Sequence, residues 1–214
     1  MPIQSAGPMN VKHGERKRGS WATTPARRRR ILSAALGCFD EHGVAATTVE
    51  DICLAADLSV GSIYHHFGGK DDIFQNLVGE AMAEYLAGIV DALEEGTGLT
   101  GSIERLVGFH VSWVEERTAL TRLMLRWEED MRDRANGQGH YAQYSEAIGT
   151  WLRREARAGH IRRMEPDLYS ALLMGPLMEY ARQRSAGLTS ASPEAIERGL
   201  VAGLVRALGR SDGD

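Results

Sequence analysis

Disulfide chemistry has little to work with in this chain: 214 residues hold two cysteines, Cys38 and Cys53, with no metal-ligand spacing around either. Both fall on the apolar or interior side of expected helices, which argues for buried reduced thiols rather than a redox switch. No apolar run approaches the ~18 to 20 residues that a membrane helix requires, and residues 1–22 lack the apolar core of a signal peptide. The expected location is therefore the cytoplasm, with no membrane partner. Paired carboxylates, a His/Cys/Asp/Glu ligand set and a nucleophile beside a base are all missing as sequence patterns, as is a Gly-rich phosphate loop. The reading is accordingly a non-enzyme with no metal and no cofactor. Strand-like alternation and internal repeats are missing too, which leaves an all-α fold.

Positive charge is scarce overall, since the formal net charge is −4. Its distribution says more. Residues 1–70 carry nine Lys/Arg against six Asp/Glu, and residues 71–214 carry sixteen against twenty-three. A head of +3 on a body of −7 is the asymmetry expected when only one end of a protein meets a polyanion.

The richest stretch is TTVEDICLAADLSVGSIYHHFGGKDDIF, residues 47–74. Thr48 with Asp51 three residues on forms a helix-start signal, and Val49, Ile52, Cys53 and Ala56 then fall on one helical face. Residues 56–59 have the length of a helix-turn-helix bend. Ser59 can cap a second short helix whose Val60, Ile63 and Phe67 lie along one face. Its remaining positions, Gly61, Ser62, Tyr64 and His65, are small or hydrogen-bonding, suited to phosphates and base edges in a major groove. Gly68-Gly69 should stop this helix by supplying a positive φ, and Lys70 is placed to add a phosphate contact.

These residues resemble the DNA-binding signature of the TetR (tetracycline-repressor-like) family. Thr48, Ile52, Ala55, Ala56, Ser59, Gly61, Ile63, Tyr64, His66, Phe67, Lys70 and Asp71 occupy matching positions, and ILSAALGCFDEHGVAATT is similar to the family's first helix and following loop. The resemblance is specific over residues 25–75 and loose beyond. Two positions depart from it: Asp57 stands where Gly is usual in the turn, and Val60 where a basic residue is frequent. The resemblance implies a DNA-binding head comprising Thr48, Ser59, Val60, Gly61, Ser62, Tyr64, His65 and Lys70.

In chain order, residues 1–22 read as a disordered basic tail, with Lys12, Arg16, Lys17 and Arg18 available to DNA phosphates or merely solvated. The head is expected over 23–72. Thr24-Pro25 opens its first helix, with Ile31, Leu32, Ala35, Leu36 and Phe39 as the buried stripe and Gly43 as the stop. Arg27 to Arg30 crowd the first turns, where cations oppose the helix dipole; part of the run is expected at the DNA backbone.

Residues 73–214 read as a helical ligand-binding and dimerisation body. A long amphipathic helix runs from Asp71-Asp72 to about Glu95, Gly96 to Gly101 is a break, and Gly137 and Gly139 separate two later helices. Trp113, Trp127 and Trp151 with Met124, Met131, Met174, Met178 and Tyr144 can line an adaptable apolar cavity, with His110 and Glu128 as polar groups that could orient a ligand. Each is also readable as ordinary packed core. The effector class this implies is a small apolar or amphipathic molecule. Gly175-Pro176 should kink or interrupt the penultimate helix. Leu168, Leu172, Met178, Ile196, Leu200, Gly203, Leu204 and Leu208 on the last two helices suggest a homodimer interface of four helices, as the resemblance implies.

The resulting expectation is a ligand-responsive transcriptional regulator, a repressor released from a palindromic operator on double-stranded DNA. An activator, a small all-α enzyme or a helical adaptor with a repurposed head are the alternatives.

Overall fold

The structure, a computed structural model, describes residues 24–133 and 138–210; for residues 24, 129–133, 138–145 and 147 it describes the backbone alone. Among the described residues there are nine α-helices and no strand beyond an isolated antiparallel bridge between Ile161 and Gly209. They are α1 (Thr24–His42), α2 (Val49–Ala56), α3 (Val60–His66), α4 (Lys70–Glu95), α5 (Gly98–Glu116), α6 (Thr118–Asp133), α7 (Gln138–Ala158), α8 (Pro166–Ser185) and α9 (Pro193–Leu208).

Two apolar cores organise these helices. The first gathers Ile31, Ala35 and Phe39 of α1 with Ile52 of α2, Ile63 of α3 and Ile73 of α4, all fully buried. Phe39 meets Phe74 edge-on at 5.9 Å, binding α1 to the start of α4. Cys38 and Cys53 are free thiols buried in the same core. The second core centres on α5, whose Ile103, Leu106, Val107 and Val114 are inaccessible to solvent. Each such side chain contributes on the order of 1.5–3 kcal/mol by leaving water. They pack against Ile89 and Leu93 of α4, Leu173 and Leu177 of α8, and Leu204 and Leu208 of α9.

At 26 residues, α4 is about 39 Å long and serves both cores, Ile73 and Phe74 in the first and Tyr85 to Leu93 in the second.

The glycine punctuation differs from the sequence expectation in three places. α3 ends at Phe67 in an extended conformation, and the positive φ falls instead on Gly69 (150°), which caps α4. Gly68 N–H donates to Asp72 Oδ2 at 2.8 Å, so the pair of glycines starts α4 more than it stops α3. The expected break at 96–101 shrinks to Gly96 and Thr97, since α5 begins at Gly98. A Cβ at Gly96 would come within 2.2 Å of Ser102 Cα, so it is close approach of α5 that demands glycine there. Finally, α8 is not interrupted at Gly175-Pro176, and Pro176 lies on its exposed side.

Candidate functional site

The head is set by its caps. Thr48 Oγ1 accepts from Asp51 N–H at 3.1 Å while Asp51 Oδ2 accepts from Thr48 N–H at 2.8 Å, a reciprocal capping box that starts α2. The bend that follows needs a left-handed residue, and Asp57 supplies it with φ 47° and ψ 53°. Aspartate tolerates that region better than most side chains, and its Oδ2 accepts from Arg30 Nη2 at 3.0 Å. The departure from Gly in the turn is thus accommodated locally. Ser59 Oγ then caps α3 through Ser62 N–H at 3.2 Å.

Ile63 and Phe67 anchor α3 inward, which turns Ser59, Val60, Gly61, Tyr64 and His65 to solvent with Ser62 half-buried. Tyr64 is 57% and Val60 41% exposed, an unusual outlay of apolar surface on a seven-residue helix. The expected recognition face is therefore presented as one surface.

Two of the expected contact residues also hold the head together. Lys70 Nζ donates to Ala45 O at 2.9 Å and Thr47 O at 2.7 Å, tying α4 to the loop before α2. Its third proton stays available to a phosphate, so the same side chain braces the head and can still meet DNA. Thr48 is similarly committed, since its hydroxyl also donates to Asp51 Oδ2 at 2.7 Å. The arginine run divides. Arg28 bonds Asn76 Oδ1 at 2.8 Å and Glu80, and stacks over the Phe67 ring at 5.3 Å, while Arg30 holds Asp57. Arg27 and Arg29 are exposed and form no ion pair among the described residues.

The body encloses a cavity of about 340 Å³ between α4, α5, α6, α7 and α8. Of the expected ligand residues, His110, Trp113, Met124, Glu128, Met174 and Met178 line it. Two do not. Trp127 joins the head core beside Leu123, and Trp151 is buried in the body core away from the cavity wall. The side chains of Met131 and Tyr144 lie outside those described. The sequence reading passed over Met82 and Tyr85 of α4, Thr121 and Leu125 of α6, and Ser170 and Gly175 of α8, which complete the wall. Thr121 lies three residues before Met124 on the same helical face, the spacing by which sequence could have found it.

His110 is 1% exposed and spans three helices. Its Nε2 lies 2.8 Å from Leu177 O, which can only accept, so Nε2 carries the proton and Nδ1 accepts from the Tyr85 hydroxyl at 2.6 Å. Burial lowers its pKa to about 4, partly opposed by the Leu177 bond, so the imidazole is neutral at neutral pH. Two other polar atoms of the cavity wall, Trp113 Nε1 and Thr121 Oγ1, are buried without a hydrogen-bond partner among the described residues.

Head and cavity meet in α6. Thr121, Met124, Leu125 and Glu128 face the cavity, whereas Leu123 and Trp127 belong to the head core. Arg122 extends the latter face with a two-pronged ion pair to Asp40 of α1.

The dimer candidates also divide. Leu168 is exposed, Leu172, Met178, Ile196 and Leu200 are half-buried, and Gly203 faces open space. Leu204 and Leu208 are fully enclosed by the chain's own core and are corrected to core residues. They point inward because α9 packs directly on α5, which claims that stripe.

Residues 31–77 match the family model of bacterial regulatory proteins of the tetR family. The chain is 31% identical over 174 residues to the HTH-type transcriptional repressor AcnR of Corynebacterium efficiens, covering 79% of this chain and 86% of that one. To AcnR of Corynebacterium glutamicum it is 30% identical, over 84% and 92% of the two chains. The chain belongs to the TetR family. It is therefore a DNA-binding transcriptional regulator, and the residues matched by the family model lie in the head and the start of α4. Solved TetR-family structures share the fold. A TetR-family regulator from Marinobacter aquaeolei superposes with a TM-score of 0.71 at 18% identity, covering 87% of this chain and 97% of that one. FadR of Bacillus subtilis in complex with stearoyl-CoA gives 0.70 at 18% identity, over 84% and 98%. Among the described residues, no TetR-family helix here is long and apolar enough to cross a membrane.

Proposed function

We propose that the chain is a homodimeric cytoplasmic repressor that leaves a palindromic operator when an apolar or amphipathic small molecule fills the body cavity. Residues 23–72 act as the head and 73–214 as the sensing and dimerising body. Two copies of α3 enter successive major grooves about 34–36 Å apart, with Tyr64, Ser62 and His65 at the bases and Ser59, Arg27 and Arg29 at phosphates. Exposed Leu168, half-buried Leu172 and open Gly203 supply the contact between copies. The AcnR relatives, named as repressors, support the sign of regulation.

The observation that carries this reading is α6, which presents Met124 to the cavity and Leu123 to the head core. One helix carries both contacts, so a ligand that shifts α6 as a body also moves the surface on which α1 rests. The ligand shifts the head only by as much as it prefers the displaced state, typically about 1–3 kcal/mol of coupling. The test is binding to DNA flanking the protein's own gene across a salt series. Tight binding that weakens steeply with salt is expected. Met174→Trp, which fills the cavity, should leave that binding intact and abolish effector-induced release. Weak, sequence-indifferent binding at all salt concentrations would refute the repressor assignment.

A further inference from the structure

A second concavity lies on the α7–α8 seam, a surface groove of about 390 Å³. Its floor is apolar, with Leu152, Met164 and Tyr169, and its rim carries Arg153, Arg157 and Arg163. The segment that forms it, residues 153–163, holds five arginines and one carboxylate. That is a marked reversal within a body whose net charge is −7.

The basic rim has few counter-charges of its own. Here the one carboxylate of the segment, Glu155, is taken by His160 Nδ1 at 2.7 Å and Arg154 Nε at 3.1 Å, and none of these three lines the groove. Arg157 and Arg163 form no ion pair among the described residues, and Arg153 bonds only the neutral Thr150 Oγ1, at 3.0 Å. Glu165 and Asp167 flank Pro166 in sequence, yet neither lines the groove nor pairs with an arginine.

The Arg153 side chain and the backbone on both sides of Arg163 are also held in place. A Cβ at Gly149 would stand 3.1 Å from Arg153 Nη1, so glycine there lets the guanidinium lie down along α7. The Tyr169 hydroxyl donates to Arg162 O at 2.7 Å and accepts from Met164 N–H at 3.1 Å, bracketing Arg163. Arg162 N–H in turn donates to Leu208 O at 3.0 Å, which fixes the same segment to the end of α9. Pro166 on the groove wall is the first residue of the 20-residue α8, so the positive end of that helix dipole lies here as well.

Guanidinium groups present planar forks of donors that match phosphate oxygens. We propose that this groove binds a ligand carrying two or more phosphate groups. Operator DNA is not that ligand. Arg154 reaches Glu94 at 3.8 Å, which places the groove beside the end of α4 remote from the head, on the order of 36 Å from Lys70. Two sources share the chemistry: a free oligophosphate, and the phosphorylated head of an amphiphile whose tail enters the cavity. The second is open because Ile148 of the cavity and Leu152 of the groove are one turn apart on α7. The proposal goes beyond the effector reading and does not depend on it.

Calorimetric titration of the full chain with inorganic pyrophosphate at fixed ionic strength tests the site. Arg157→Ala/Arg163→Ala should weaken binding at least 10-fold with an unchanged melting temperature, because both side chains are exposed. The head pair Arg27→Ala/Arg29→Ala should bind pyrophosphate as the parent does. No binding by the parent, equal binding by the groove pair, or loss confined to the head pair would each overturn the proposal. Geranyl pyrophosphate separates the sources. A gain of 10-fold or more over pyrophosphate, removed by Met174→Trp, assigns the groove to an amphiphile's head; equal affinities assign it to a free oligophosphate. In either case the arginine dependence must persist, and its absence with both probes overturns the site.

Discussion

Arg122 of α6 grips Asp40 of α1 with two bonds, Nε to Oδ1 at 2.7 Å and Nη2 to Oδ2 at 2.6 Å. It is the polar half of the junction whose apolar half is Leu123 and Trp127, and it ties the sensing body to the DNA-binding head. Arg122 also holds the Asp40 carboxyl below the ordinary carboxylate range, chiefly by hydrogen bonding.

Arg122→Met should therefore loosen the head without unfolding it. Both side chains are partly exposed, so the expected loss is about 1 kcal/mol, the upper end for such pairs. Because the folded carboxyl has the lowered pKa, this contribution is present above the ordinary aspartate pKa and vanishes as pH falls through the folded value. Denaturant melts of parent and variant should differ at pH 7 and converge in strong acid. Effector-induced operator release should weaken in the variant as well; unaltered release would remove this ion pair from the coupling.

Tyr64→Ala should weaken operator binding by roughly 5- to 150-fold, the range expected when a base contact worth about 1–3 kcal/mol is lost. The side chain is 57% exposed, so the melting temperature should hardly move. Gel-shift titration at low salt, paired with circular dichroism, checks both halves. Undiminished affinity would exclude Tyr64 from the interface.

His110 makes the body acid-sensitive well above the carboxylate range. Its folded pKa of about 4 lies below the unfolded value of 6.5, so protonation favours the unfolded chain. Full stability is present above pH 6.5 and declines as pH falls from there toward 4, a loss of about 2 kcal/mol between pH 7 and pH 5. Replacing the imidazole removes this slope. Unfolding free energies for the parent and His110→Phe, measured at pH 7 and 5, should show a pH-dependent gap that narrows in acid; parallel losses would place the sensitivity elsewhere.

Gly203→Arg and Leu204→Ala, neighbours on α9, should fail in different ways. A side chain at Gly203 meets open space within one chain, so the variant monomer should fold and the effect should fall on association. Leu204 is 2% exposed, and its truncation should cost about 2–5 kcal/mol of folding stability. Sedimentation analysis with thermal melts distinguishes them. A Gly203→Arg variant of unchanged molecular mass would take α9 out of the dimer contact.

The head was legible because its determinants are local. A capping box spans three residues, a helical face repeats within eight, and the bend is a few residues of fixed length. Thr48, Asp51, Ser59 and Ile63 therefore took their places from sequence alone. The reading was incomplete where a side chain's partner is remote in sequence. Lys70 was read for a phosphate contact alone, and only the fold brings the Ala45 and Thr47 carbonyls within reach of its Nζ.

In the body, periodicity established that α5, α6 and α9 have apolar faces, without saying what each face touches. Trp127 and Met124 sit three residues apart on one stripe, yet α1 occupies one side of α6 and the cavity the other. Leu204 and Leu208 looked like interface because an apolar stripe is the same whether it is buried by its own chain or by another. The sequence by itself determined helix positions, caps, the charge division and the DNA-binding signature, all of which arise from neighbours within about a dozen residues. Tertiary structure alone decided which apolar face became core, cavity or open surface, and which arginines were left without a counter-charge. Those outcomes depend on contacts between helices far apart in the chain, and no local pattern encodes which helix will arrive.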